Sequence, residues 1–190
     1  MFRPRGLHLK SLFQLLAQRP STPADQTRHV FLCIGDHYEP MWGNAAMNVQ
    51  EERVERWVRE YPKAFDEFKD SRGRCPQHTF FYPAEEYNPT LVERVAQLCR
   101  RGYGEMEVHL HHDNDTSENL RETLETFKSH LFYEHGMLGQ NLDRQITYGF
   151  IHGNWALDNS RPDGRWCGVN DEITVLRETG CYADFTMPSA

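Results

Sequence analysis

Stretches of strand length alternate with stretches of helical period along this chain, and that alternation constrains its fold more than any other feature. Residues 29–34 form a continuous apolar run, as expected of a strand buried on both faces. Val54, Trp57, Val58 and Tyr61 then keep helical spacing, and Pro62 predicts a restart into a second short helix with Phe65 and Phe68 inward. Further strands are predicted at 79–82, 106–110, 147–151 and 181–185. Between them, Asn88-Pro89 opens a helix carrying Leu91, Val92, Val95 and Leu98, and Leu120, Leu124, Phe127 and Leu131 mark another. A short helix through Leu176 precedes the last strand. The pattern specifies an α/β fold, a parallel sheet with crossover helices that is either open or closed into a (β/α) barrel.

In such folds, active sites gather at the carboxyl ends of the strands. Here those ends are rich in acids and imidazoles. Asp36 and His37 follow the first strand, His109, His111, His112 and Asp113 the third, and His152 the fourth. Alternation along a strand puts His109 and His111 on one side, so that two imidazoles converge on a point. Neutral imidazole nitrogens with a carboxylate suit zinc or a similar divalent ion, and an open coordination position makes such a site catalytic. The competing expectation is a solvated loop in which Asp115 caps the next helix and Glu118 closes a capping box.

An Asp after an apolar first strand, the Thr79-Phe80-Phe81 second strand and the run from Glu105 to His109 together resemble the polysaccharide deacetylase (NodB-homology) superfamily. Asp36-His37-Tyr38-Glu39-Pro40, His109-Leu110-His111-His112 and Ile151-His152-Gly153-Asn154-Trp155, occurring together, resemble a divergent bacterial branch of it. The resemblance implies a distorted (β/α) barrel and a metal-bound water that removes acetyl groups from sugars. Such a barrel needs two or more further strands, so the resemblance also implies a chain incomplete at its C-terminal side. Two departures are plain. The family pairs two aspartates, and Gly35 stands in the place of its base; the family spaces its histidines at i and i+4, whereas Asp113 stands at that place here.

With that resemblance, the metal ligands are expected to be Asp36, His109 and His111, since one carboxylate and two imidazoles leave a position for water. His37 is the expected replacement base, and His152 is expected to protonate the leaving group or to stabilise the oxyanion. Asp113 is a further catalytic candidate; the sequence leaves open whether His112 and Asp113 exchange roles with His111 and the base. Asn154, Trp155 and Asp158 are expected to contact a sugar ring. His8, His78, His130 and His135 are left as structural or solvated. Two other functions stay open: an amidohydrolase-like or phosphoesterase barrel, and a barrel without catalysis that binds polysaccharide or an export partner.

The domain is expected over residues 28–190, behind a basic arm and linker at 1–27. Residues 1–24 carry Arg3, Arg5, Lys10 and Arg19 and no acid, in a chain of net charge −7. That balance, with no basic stripe, excludes nonspecific nucleic-acid binding. Leu9, Leu12, Phe13 and Leu16 form one apolar helical stripe, so residues 7–17 are a candidate for weak peripheral membrane contact. No apolar run approaches the ~20 residues of a spanning helix. Cys33, Cys75, Cys99, Cys167 and Cys181 are odd in number and form no C-x-x-C pair, which points to reduced thiols and a cytoplasmic location.

Overall fold

A computed structural model describes residues 29–187. The basic arm, its helical stripe with the membrane contact at 7–17, His8 and the linker lie outside the described residues. The described residues divide at Leu32, and residues 33–187 belong to the folded unit. In the other unit, residues 29–32 carry no regular structure, and Val30, Phe31 and Leu32 are exposed.

The folded unit contains six strands: β1 (Gly35–His37), β2 (His78–Pro83), β3 (Gly104–Leu110), β4 (Gly139–Gln140), β5 (Ile146–His152) and β6 (Cys181–Asp184). Its α-helices among the described residues are α1 (Met47–Phe65), α2 (Pro89–Leu98), α3 (Ser117–Ser129) and α4 (Glu172–Thr179). Parallel pairing runs β1-β2-β3-β5-β6, and the short β4 adds antiparallel to the start of β5. This is the α/β class expected, as a mostly parallel sheet that is not closed. The parallel strands, β4 apart, follow one another in chain order with no reversal point.

Two expectations are corrected. The first strand is not at 29–34: β2 begins at His78, and the register sets Gly35 opposite Thr79, so residues before Ile34 have no strand to pair with. Pro62 does not end its helix either. It sits in the last turns of α1, buried, where Tyr61 packs on Trp57 and Phe65 and offsets the lost hydrogen bond; Phe68 is left outside and exposed. The Asn88 cap holds, since Asn88 Oδ1 accepts the backbone N–H groups of Thr90 and Leu91.

All four helices pack on one face of the sheet. Phe80, Tyr82, Met106, Val108, Leu110, Tyr148 and Phe150 point to that face and join Val54, Val92, Leu98, Leu124, Phe127 and Leu176 in a single core. Each such side chain, fully buried, contributes roughly 1.5–3 kcal/mol. Alternation then assigns the opposite face to His37, Phe81, Glu107, His109 and Ile151, none of which joins the core. That face is concave: the Phe81 ring of β2 meets Phe185 at 5.7 Å, and the Tyr182 hydroxyl of β6 donates to Glu107 Oε1 of β3 at 2.7 Å. No helix of the described residues is long and apolar enough to cross a membrane. All five cysteines are free thiols.

Candidate metal centre

β1 and β3 each deliver two side chains, two residues apart, to the concave face at their carboxyl ends: His37 with Glu39, and His109 with His111. All four meet at one oxygen. Glu39 Oε1 lies 3.4 Å from His109 Nε2, 3.7 Å from His37 Nδ1 and 3.7 Å from His111 Nε2. The His109 ring stands edge to face with both neighbours, 4.4 Å from His37 and 4.6 Å from His111 between centroids. One donor atom each from His37, Glu39 and His109 lies within 4.8 Å of the others, and this group can hold a metal ion.

The tautomers are fixed by what lies behind the rings. His109 Nδ1 lies 2.8 Å from the Ile151 carbonyl, which can only accept, so Nδ1 carries the proton and Nε2 turns a lone pair toward Glu39. His111 is held by Glu85, whose Oε1 accepts its Nδ1–H at 2.6 Å and its backbone N–H at 3.0 Å; this contact outweighs burial and raises the His111 pKa. Burial pushes Glu39 up, but the facing imidazoles of His109 and His37 and the charge of His111 outweigh it and hold the carboxyl at about 2. Burial lowers the His109 pKa, so this ring stays neutral. With its Nδ1–H given to Ile151 O, neutral His109 presents Nε2, beside the ionised Glu39 carboxylate, as a donor to a cation. Donors about 2.0–2.1 Å from a tetrahedral ion lie roughly 3.3 Å apart, close to the separations here.

Asp36 is not among these donors. Its register partner is Phe80, so it faces the helices, where Oδ1 pairs with His78 Nε2 at 2.9 Å. Glu39 occupies the carboxylate position expected of it. Glu39 and Glu85 are the residues the sequence reading passed over, although an acid at i+2 from His37, past a strand end, was a visible signal.

A second cluster lies on the helix side. His152 pairs in register with Leu110 and shares its face, which takes it away from the concave side. It is fully buried, its Nδ1 accepts the Asn154 N–H at 3.0 Å, and its Nε2 lies 3.8 Å from Glu172 Oε1 without a hydrogen-bond partner. His112 bridges two carboxylates, Asp115 Oδ2 at 2.9 Å and Glu172 Oε1 at 3.0 Å. Donor atoms of His112, His152 and Glu172 also lie within 4.8 Å of one another. Here every contact finds a proton. Burial opposes it, but Glu172 and Asp115 raise the His112 pKa; burial and the His112 charge drive His152 down to about 3. Neutral His152, accepting at Nδ1, carries its proton on Nε2 and offers no lone pair to an ion.

No protein-family model, curated protein or solved structure matches the chain.

The remaining expected residues are scattered. Asp113 is exposed beyond the β3 turn, and Asp115 supports α3 from outside while Thr116 caps it. Asn154 and Asp158 are spent on the fold: Asn154 Nδ2 donates to the His112 carbonyl, and the Asp158 N–H donates to Glu172 Oε2. Trp155 keeps an exposed ring, on a left-handed backbone with φ of 55°. His78 and His135 are structural, bonded to Asp36 and to Glu93 and Tyr87.

Proposed function

We propose that this chain is a metal-dependent hydrolase that removes acetyl groups from a polysaccharide or amino sugar, of the polysaccharide deacetylase kind. The observation that carries this reading is the lone pair of His109 Nε2 aimed at the ionised Glu39 carboxylate on the concave side of a parallel sheet. Glu39 and His109 would hold the ion, with a third imidazole from His37 or His111. A divalent cation there, zinc above all, lowers the pKa of a bound water toward neutrality and polarises a carbonyl. The chain's own groups do the rest. Ile151 O keeps the His109 proton on Nδ1. His37, with about a third of its side chain exposed, has an Nε2 that meets no acceptor among the described residues and is free to take a proton from the nucleophile. Trp155 offers an exposed ring for a sugar face. His152 and Asp113, one buried behind the sheet and the other outside the cluster, take no part.

One observation favours a second reading. The pair His37 and Glu39 stands at the end of the first strand, as the ligand pair does in amidohydrolase-like and phosphoesterase barrels. Acetate release from acetylated sugar oligomers, measured on chelated and zinc-reloaded protein, separates the two. Metal-dependent acetate lost in His109→Ala supports deacetylation. Turnover of a phosphomonoester instead favours the second reading, and metal-independent release of either product overturns both.

A further inference from the structure

Resting on that reading, the geometry assigns the third imidazole: we infer that His111, not His37, completes the ligand set, and that Glu85 and Gly153 are the positioning residues that hold it there. His37 Nδ1 and His111 Nε2 stand equally far from Glu39 Oε1, at 3.7 Å, and although the donor atoms of His37, Glu39 and His109 are the ones that lie within 4.8 Å of one another, closeness is not the only requirement on a ligand. The choice comes from the far side of each ring. A histidine that binds a metal donates its other N–H to a carboxylate or carbonyl, which fixes both tautomer and orientation. His109 has this partner in Ile151 O and His111 has it in Glu85; among the described residues, His37 has none. Glu85 grips both the side chain and the backbone of His111 through one oxygen, so the ring is tied to the chain direction as β3 ends.

Gly153 closes the clamp from the other side. A Cβ at this position would stand 2.2 Å from His111 Cδ2, 2.4 Å from Nε2 and 2.6 Å from Cγ. The ring is packed flat on the β5 end where a side chain belongs. Gly153 lies outside the left-handed region, and the nearest atoms an alanine Cβ would meet there all belong to the His111 imidazole. His37, free of such constraints, is left at the open side of the ion as the proton carrier.

Cobalt(II) titration of chelated full-length protein tests this, read by dissociation constant and visible absorption. Glu85→Ala should weaken Co(II) binding by about 10- to 100-fold, Glu85→Gln by less because its amide oxygen still accepts the Nδ1–H. Gly153→Ala should match His111→Ala and alter the absorption intensity. His37→Ala should keep both the affinity and the spectrum while losing turnover. Gly168→Ala is the volume control: its Cβ would stand 2.2 Å from the His112 ring, crowding the other cluster equally, yet Co(II) binding should not change. If Glu85→Ala and Gly153→Ala bind like the unsubstituted chain while His37→Ala and His109→Ala lose the ion, His37 is the ligand and this inference falls alone. A chain that takes up no Co(II) at all overturns the metal reading beneath it as well.

Discussion

Two clusters of histidine and carboxylate stand on opposite faces of one sheet, and the chain passes from one to the other between His111 and His112. Composition does not tell them apart: each has two imidazoles, a glutamate and donor atoms within 4.8 Å of one another. Protons do. Around Glu39, His109 spends its N–H on Ile151 O and turns a lone pair inward, while Glu85 holds the His111 Nδ1–H. Around Glu172, His112 turns N–H groups to both carboxylates and His152 is left with a proton on the inward nitrogen. The first arrangement leaves donor atoms that can hold a cation. The second is a neutralised network that fastens the 154–171 loop and the start of α4 to the end of β3. What lies behind a ring, rather than its distance from a carboxylate, marks a ligand.

The sharpest break of this contrast is a pair of substitutions. Glu39→Gln should lose zinc by more than the roughly 10- to 100-fold that removal of an outer partner costs, whereas Glu172→Gln should keep it. Metal content after dialysis against dilute zinc reads this directly. Equal losses from both variants would erase the distinction. The reverse holds for stability. Glu172 is fully buried, and Glu172→Ala leaves the His112 charge with only Asp115, at a cost of about 3–5 kcal/mol in urea unfolding of chelated protein. Glu39→Gln, in the same chelated state, keeps an oxygen toward the rings and leaves no fully buried charge without a partner, so it should cost less than Glu172→Ala.

A third carboxylate sharpens the contrast by titrating far above Glu39. Glu107 lies on the concave face beneath His109, and burial outweighs its hydrogen bonds from Tyr182 and the Gly149 N–H to raise it from 4.5 to about 7. The folded state therefore holds this proton more tightly than the unfolded one. Its stabilisation is complete below about pH 4.5 and is lost as pH rises through about 7. Between these values the chelated protein should lose on the order of 1–3 kcal/mol relative to Glu107→Gln, as read from urea midpoints. Parallel pH dependence in the two proteins would place an ionised Glu107 in the folded state.

The architecture was legible in the sequence because burial on both faces leaves strong apolar runs, and because caps such as Asn88-Pro89 are local chemistry. Residues 29–34 misled for a complementary reason. Apolar character says that a strand is possible, but pairing depends on where β2 begins, which is a long-range fact. At the site, alternation brought His109 and His111 to one face, and they are found there. The same rule, applied to β1, puts Asp36 and His37 on opposite faces, and it would have favoured Glu39 over Asp36. The fate of His152 was less accessible: one residue past Ile151 it changes face, and only the packing of α4 shows that Glu172 waits for it.

The smallest expected effect is the one that decides between strand geometry and motif position. Asp36 is the carboxylate that a deacetylase-like motif puts at the metal, yet its side chain is 44% exposed and its partner is His78 on the helix side. Asp36→Asn keeps an oxygen that can accept from His78 and removes only a partly solvated charge, so it should cost no more than about 1 kcal/mol. It should also leave zinc content and Co(II) absorption unchanged, since the amide replaces a group that shares no face with His109. Loss of the ion in Asp36→Asn, with its retention in Glu39→Gln, would mean that β1 is turned over in the active protein. A parallel strand shifted by one residue exchanges every side chain between faces, so that result would bring Asp36 to the imidazoles and carry His37 and Glu39 away together.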